Sequence, residues 1–281
     1  MHNLIGRFVS ASVKGANHGD KGIGCQDAAM SAVLHHKGYM FYFMAVADGH
    51  GGAAYTRSDI GSFLAMQAAS EAINRFVMFV IDVFEKYPAD WAEAVKKDFR
   101  ERLGKMLVSN WVRMVEAHAN DTEKNTDEVV KLYGTTVSLA LVFNNHLFTG
   151  RIGDSSVFAV INENKKPEVK NLFEINEEAS QNVGLGTASL CSADAYRKWQ
   201  TETAPLSGIQ MLFLATDGFA DSLKDPKEEV MDYYRYVCKK GILSLEQIID
   251  SELNHLSQKG VGDDISLVIF LPEQIKGYNN G

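Results

Sequence analysis

The sequence predicts an α+β fold in which antiparallel β-sheets carry helices on their outer faces. Three observations support this prediction. Predicted strands come in runs, predicted helices come in pairs, and short turns at Lys37-Gly38 and Asn144-Asn145 join successive strands as hairpins. A parallel sheet would need strands and helices to alternate along the chain, and they do not alternate here.

Eight segments are predicted strands, because they are short and rich in apolar, β-branched or aromatic residues. The stretch 162–167 (NENKKP) is a predicted turn after the sixth of them. In chain order, the predicted strands are 8–13, 28–35, 39–47, 135–143, 146–150, 156–161, 210–215 and 265–271.

Four segments are predicted helices. Apolar residues recur near helical spacing in 56–79, and in 91–119 they lie on one face of the helix. The other two predicted helices are 226–239 and 245–256. Ser244, with Gln247 three residues later, resembles a capping box at the start of the last one.

The length and charge of the chain limit its organisation and its partners. The 281 residues are 46% hydrophobic, with only five prolines and no Pro-, Ser- or Gly-rich linker, which predicts a single domain over residues 1–281. The net charge is −8. Nucleic-acid binding needs a basic stripe, and an anionic membrane also attracts basic surfaces. We therefore expect neither nucleic acid nor membrane as a partner.

The cysteines and the apolar stretches indicate a cytoplasmic protein. Cys25, Cys191 and Cys238 are widely spaced and form no CxxC pair, which predicts reduced thiols rather than a disulfide framework or a zinc site. The N-terminus has no apolar signal core. The longest apolar stretch, 76–84, contains Asp82 and is too short to span a bilayer.

Six aspartates lie at the ends of predicted strands, and four of them stand beside a glycine. The hydrophobic effect does not place carboxylates there, because burying an unpaired carboxylate costs several kcal/mol. The six residues are Asp27, Asp48, Asp154, Asp217, Asp263 and Asp264.

Two explanations of these aspartates are open. Each one alone could cap a turn, as Asp-Gly pairs often do. As a set, they could converge and share hard cations, and all-oxygen ligands without cysteine suit Mg²⁺ or Mn²⁺. The repeated pattern favours the second explanation. Gly49, which follows Asp48 and lacks a Cβ, would let its backbone carbonyl approach an ion closely.

Paired divalent cations would give this site a hydrolytic chemistry. A water between two such cations loses a proton near neutral pH and can attack phosphorus while the cations neutralise the phosphoryl oxygens. The departing serine or threonine alkoxide then needs a proton. His50 titrates in the right range to give one. A lone histidine is usually a surface residue, but His50 stands between two glycines after a strand end, which favours the functional interpretation.

Five stretches together resemble the metal-dependent serine/threonine protein phosphatases of the 2C type, over about residues 8–271. They occur in the order of that family: AVADGHGG (45–52), YGTTVSLALV (133–142), GRIGDSSVFAV (150–160), LATDGFADSL (214–223) and GVGDDISLVIF (260–270). The resemblance implies a four-layer α-β-β-α sandwich, with two antiparallel sheets flanked by helix pairs and two metal ions in a cleft at one end. It also implies hydrolysis of phosphoserine and phosphothreonine in proteins, a signalling activity.

The resemblance further implies which residues bind the two Mg²⁺ or Mn²⁺ ions. Asp48 would bridge them, Asp27 would hold a metal-bound water, and Asp154 would help to bind a third, weaker ion. The complete implied set is Asp27, Asp48, Gly49 through its carbonyl, Asp154, Asp217 and Asp263.

Two further roles follow from the resemblance. His50 would be the general acid on the leaving oxygen and would act with the bridging Asp48. Asp264 stands where the family has asparagine or aspartate, and it would support the ligands from behind without binding an ion itself.

The sequence departs from the family pattern where the substrate phosphate is held. The arginine of the first motif is missing, and Gln26 stands where a glutamate is usual. The stretch 13–27 is also longer than the common form. Lys14, His18 and Lys21 are the candidate replacements, and Lys14 and His18 are the two that we retain. A lysine lacks the bidentate fork of an arginine, so a weaker hold on phosphate is expected.

Two other departures concern the surroundings of the site. Ser156 replaces the arginine of the family's GDSR motif. The segment 176–205 does not match a typical substrate flap. The sequence therefore does not identify the phosphoprotein substrate.

Two alternative functions belong to other classes. A catalytically weak or silent relative would keep the fold and act by binding a phosphoprotein or another partner, and the missing arginine is the mark in its favour. A calcium-binding structural protein would need a D-x-D-x-D-G loop ending in glutamate, which is absent from the sequence. Because the predicted metal ligands are all present, the enzyme is the favoured function.

Overall fold

The structure is a computed structural model that describes residues 4–19, 24–120, 126–163, 166–173 and 188–274. Within these ranges it contains ten strands and nine α-helices. The strands are β1 (Leu4–Val13), β2 (Ala28–His36), β3 (Tyr39–Ala47), β4 (Val137–Phe143), β5 (His146–Ile152), β6 (Ser156–Glu163), β7 (Lys166–Asn171), β8 (Gln200–Pro205), β9 (Ile209–Ala215) and β10 (Ile265–Gln274). The helices are α1 (Ala16–Gly19), α2 (Ser58–Lys86), α3 (Trp91–Asp98), α4 (Gly104–Ala119), α5 (Thr126–Lys131), α6 (Asp217–Asp221), α7 (Pro226–Lys240), α8 (Ile242–Glu246) and α9 (Ile249–Lys259).

The strands form two five-stranded sheets, and every strand pair in them is antiparallel. The first sheet has the order β1-β10-β9-β6-β7, and the second has the order β2-β3-β4-β5-β8. Apolar side chains of both sheets pack against each other between them, with Met44, Val46, Leu214 and Phe270 fully buried or nearly so.

Helices cover both outer faces, so the predicted four-layer α-β-β-α sandwich is confirmed. Helices α2, α3 and α4 pack on the second sheet around Trp111 and Phe99, and α7, α8 and α9 pack on the first sheet around Phe213 and Leu253. Helix α2 has the length and hydropathy of a membrane span, but 61% of its apolar window is buried. Its packing on the second sheet and on α4 accounts for that composition.

Two strands, β7 and β8, were not predicted from the sequence, and both lie at the edge of a sheet. The predicted turn 162–167 overlaps the start of β7, and β8 lies in the segment 176–205, which does not match a typical substrate flap. Both strands have largely polar sequences, KPEVKN and QTETAP. Both strands pair on one side only and are largely solvated, so they need no apolar run, and their polar sequences gave no strand signal.

The helix boundaries also differ from the predicted ones. The predicted helix 91–119 contains a π-helical turn at Phe99–Leu103 between α3 and α4, and the predicted helix 245–256 is two helices, α8 and α9. The predicted capping box is wrong. Ser244 lies inside α8, where its hydroxyl donates to the carbonyl of Lys240 at 2.9 Å and is not available to cap α9.

Candidate active site

The register of the strands brings the predicted aspartates to one end of the sandwich. Ala28 pairs with Ala47, so Asp27 and Asp48, which lie just beyond these residues, are neighbours. In the first sheet, Ala215 pairs with both Ser156 and Leu267. The segments that carry Asp154, Asp217 and Asp263 therefore end at the same edge.

Three carboxylates form the centre of the site. Oxygen atoms of Asp48, Asp154 and Asp217 all lie within 4.8 Å of one another, although these residues are far apart in the sequence. Asp48 and Asp217 are half-buried, and Asp154 is exposed. The arrangement matches the predicted convergence of the strand ends.

A cleft of ≈ 390 Å³ opens beside these carboxylates. Its described lining residues include six of the predicted site residues, together with Gln26 and Gly51. The six are His18, Asp48, Gly49, His50, Asp217 and Asp263. The general-acid candidate and four of the six predicted ligands therefore face one space large enough for a phosphoryl group.

The turn after Asp48 is fixed by backbone contacts. The carbonyl of Asp48 accepts hydrogen bonds from the Thr136 amide at 2.8 Å and from the Thr135 hydroxyl at 2.8 Å. The Gly49 amide donates to the Gln26 carbonyl at 3.0 Å, and a Cβ at Gly49 would lie 2.5 Å from that oxygen. Only glycine fits this close approach to Gln26. The bonds from Thr135 and Thr136 to Asp48 join the DGHGG and YGTT segments.

Asp27 and Asp264 are buried and are not among the described residues that line the cleft. Asp27 is 8% exposed, and its carboxylate accepts a hydrogen bond from the Thr216 hydroxyl at 2.6 Å. Asp264 is 3% exposed and accepts from the amides of Gly15 at 2.5 Å and Gln26 at 2.6 Å. The supporting role of Asp264 stays a prediction.

The carboxylates of the site oppose each other's ionisation. Burial, followed by the charges of Asp217, Asp154 and Asp263, raises the pKa of Asp48 to about 8. Burial and neighbouring aspartates raise the pKa of Asp217 to about 6, and they raise the pKa of Asp27 well above its usual range. An all-oxygen, strongly anionic set of this kind fits a hard divalent cation, which would relieve the repulsion.

Asp221 is a further acidic residue near the carboxylates that was not singled out from the sequence. It lies one turn after Asp217 on α6, and its pKa is raised by burial and then by the charges of Asp154 and Asp263. The spacing in DGFAD was the available signal, because residues four apart lie on the same face of a helix.

His50 is held in place by groups on two sides. Its amide donates to the Gly134 carbonyl at 3.0 Å, and its ring meets that of Tyr55 edge-on at 4.9 Å between centroids. A Cβ at Gly134 would lie 2.8 Å from the His50 ring. Burial lowers the pKa of His50, an effect that the charge of Asp154 partly opposes. Tyr55 was not predicted, because nothing in its local sequence marks it.

The two phosphate candidates are placed differently. His18 lines the cleft, with Nδ1 3.0 Å from Oδ1 of Asp264 and Nε2 3.9 Å from Oδ1 of Asp263. Lys14 is exposed and is not among the described residues that line the cleft. Lys21 lies outside the described residues.

A buried arginine holds the loop that carries Asp154. The guanidinium of Arg151 donates to Oε1 of Gln200 at 2.9 Å, to the Ser155 carbonyl at 3.0 Å and to the Phe173 carbonyl at 3.3 Å. Arg151 is 6% exposed. Residues 176–187, the first part of the segment 176–205, lie outside the described residues.

The raised pKa of Asp48 predicts how the stability of the cation-free protein depends on pH. A carboxyl whose pKa is raised by folding stabilises the protein below its unfolded pKa, and this stabilisation is lost as the pH rises toward about 8. We expect Asp48→Asn to raise the melting temperature in chelator at pH 8, with the gain shrinking toward pH 5. Thermal unfolding of both proteins across this range checks the prediction. A gain that grows as the pH falls would contradict it.

Comparisons with known proteins place the chain among phosphatases. A family model described as protein phosphatase 2C matches residues 14–255. No curated protein sequence matches the chain significantly.

Solved structures share the whole architecture at low sequence identity. A bacterial serine phosphatase matches with a TM-score of 0.60 at 14% identity, covering 98% of this chain and 100% of that one. The Mycobacterium tuberculosis serine/threonine phosphatase PstP/Ppp matches with a TM-score of 0.58 at 16% identity, over 95% and 99%. The catalytic domain of PstP in complex with two manganese ions matches with a TM-score of 0.57 at 15% identity, over 96% and 99%. These structural matches show a common fold.

Proposed function

The chain belongs to the protein phosphatase 2C family, and from this premise we propose that it hydrolyses phosphoserine and phosphothreonine in proteins, using two Mg²⁺ or Mn²⁺ ions. The observation that carries the proposal is the meeting of Asp48, Asp154 and Asp217 within 4.8 Å. Three distant segments supply these carboxylates. Aspartates that each capped a separate turn would not be expected to converge in this way. The manganese-bound PstP domain shares this fold and adds support for a divalent cation.

The carboxylates would bind the cations in this reaction. Asp48, Asp217 and Asp263 line the cleft and would hold the two cations together with the Gly49 carbonyl. When bound, the cations lower the pKa of water and neutralise phosphoryl charge. Asp154 would contribute to a third, weaker cation site, and Asp27 would hold a water from beneath through its buried carboxyl.

His50 would protonate the leaving oxygen. It lines the same cleft as Asp48 and Asp217, so a phosphoryl group held by the carboxylate end of the cleft lies beside the imidazole. Its lowered pKa makes the imidazolium a stronger acid, which favours proton transfer to a departing alkoxide. The contacts with Tyr55 and Gly134 limit how far the ring can turn away.

Two residues, His18 and Lys14, are the candidates to hold the substrate phosphate. His18 lies in the cleft, whereas Lys14 would have to reach it from an exposed position. Since no arginine is among the described residues that line the cleft, a silent module that binds a phosphoprotein without turnover is the second candidate function.

A phosphatase assay decides between the two candidate functions. Phosphate release from a phosphoserine peptide is expected in the presence of Mn²⁺, and excess chelator is expected to return it to the rate without enzyme. A silent module would bind the same peptide, as measured by calorimetry, without releasing phosphate. Release that is unaffected by chelator would contradict the proposed metal dependence.

A further inference from the structure

We propose that His18 supplies an imidazole nitrogen to a cation in the cleft, beside Asp263, and thereby makes the site favour a transition-metal ion such as Mn²⁺ over Mg²⁺. The inference rests on the proposed metal-dependent function. It assigns a mixed nitrogen and oxygen donor set to a site whose other predicted ligands are all oxygen atoms.

The first argument is the position of the imidazole. His18 lines the cleft together with Asp48, Asp217 and Asp263, and its Nε2 lies 3.9 Å from Oδ1 of Asp263. Two ligand atoms on one cation, each bonded at about 2.1 Å, can be at most about 4.2 Å apart. The nitrogen and the carboxylate oxygen are therefore already within the span of two ligands of one ion.

The second argument is the hydrogen bond on the other side of the ring. Nδ1 of His18 lies 3.0 Å from Oδ1 of Asp264, whose buried carboxylate also accepts bonds from the amides of Gly15 and Gln26. An ionised Asp264 carboxylate would only accept hydrogen bonds, which places a hydrogen on Nδ1 of His18. A neutral ring in this tautomer would present its lone pair at Nε2, toward Asp263. A carboxylate behind the ring is the usual support of a metal-binding histidine.

The third argument is that the fold fixes the position of His18. The short helix α1 is tied to the loop that carries Asp263: the Asn17 amide donates to the Gly262 carbonyl at 2.9 Å, and its side-chain amide donates to the Val261 carbonyl at 2.8 Å. A Cβ at Gly15 would lie 2.5 Å from the backbone of Asp263. The stretch that is longer than the family's common form thus delivers a histidine beside a predicted ligand.

In this tautomer His18 would also be a poor contact for the substrate phosphate. A neutral ring with its hydrogen on Nδ1 has none on Nε2 to donate to a phosphoryl oxygen. The carboxylate of Asp263, 3.9 Å from Nε2, would also repel a phosphate dianion. A cation is attracted to both groups.

Pulsed electron paramagnetic resonance of the Mn²⁺-loaded protein tests the proposal directly. We expect a nitrogen coupling from a directly bound imidazole, and we expect His18→Asn to remove it. The asparagine keeps a donor for Asp264 but has no counterpart of Nε2. His255→Asn, at an exposed position on α9, is the matched control and should retain the coupling.

Calorimetry provides a second readout that does not depend on activity. His18→Asn should lower the affinity for Mn²⁺ by about tenfold or more, and it should change the affinity for Mg²⁺ much less, because Mg²⁺ prefers oxygen ligands.

The outcomes separate this inference from the proposed function. If Mn²⁺ binds, if Asp48→Asn weakens the binding, and if no nitrogen coupling depends on His18, the inference is overturned while the metal site remains. A raised KM for phosphopeptide in His18→Asn with unchanged Mn²⁺ binding would likewise overturn it in favour of a phosphate contact. If Mn²⁺ does not bind at these carboxylates, both proposals fail.

Discussion

Asp48→Asn is expected to lower kcat/KM for a phosphoserine peptide by about 10³-fold or more in Mn²⁺, since charge stabilisation at the reacting phosphoryl group is the dominant contribution to this type of catalysis. The Asp48 carboxylate lies in the three-carboxylate centre and also lines the cleft. An amide keeps its shape but removes the negative charge that a bridging position needs. Steady-state kinetics with the purified variant measures the loss.

The variant should remain folded, and this distinguishes a lost charge from a lost structure. The backbone of Asp48 is held by Thr135 and Thr136, and these bonds do not involve the carboxylate. Circular dichroism and thermal unfolding check the fold. Asp250→Asn, which removes an exposed carboxylate on α9, is the matched control and should keep full activity. Full activity in Asp48→Asn would refute the assignment of the site.

The convergence of the aspartates could be predicted because it follows from local features. Asp48 and Asp217 each follow an apolar run that reads as a buried strand. The hydrophobic effect does not place a carboxylate at the end of a buried strand. Several aspartates in the same local context therefore indicate a common cation site. The hairpin turn at Lys37 and Gly38 could also be predicted, because a short glycine-containing connection separates two apolar runs. In the structure both residues adopt positive φ, as a two-residue hairpin turn requires. That turn fixes the register in which Ala28 opposes Ala47.

Other parts of the site depend on contacts that no local pattern records. Tyr55 reaches His50 because the chain turns back after Gly52, and a single tyrosine in a glycine- and alanine-rich loop carries no periodicity. His18 and Lys14 looked equivalent in the sequence. Only the attachment of α1 to the loop before β10 separates the residue in the cleft from the exposed one.

His50→Ala is expected to slow turnover of a phosphoserine peptide by about 10²- to 10⁴-fold, as is usual when a general acid is removed. The loss should be much smaller for an activated aryl phosphate, because a phenolate leaves with little help from a proton. The imidazole lines the cleft beside Asp48 and Asp217, where the leaving oxygen would lie. The ratio of the two losses, measured as kcat, reports proton transfer and not binding.

The comparison must be made with the cation site saturated, since His50 is only two residues from Asp48 and its removal could weaken cation binding. At low Mn²⁺, weaker cation binding would lower the rates for the phosphopeptide and the aryl phosphate equally. Such equal losses would not report on proton transfer. Each variant is therefore titrated with Mn²⁺ to a constant rate before kcat is compared, with His255→Ala as a control at an exposed histidine. Equal losses for the two substrates at saturation would mean that His50 holds the reacting groups without donating the proton.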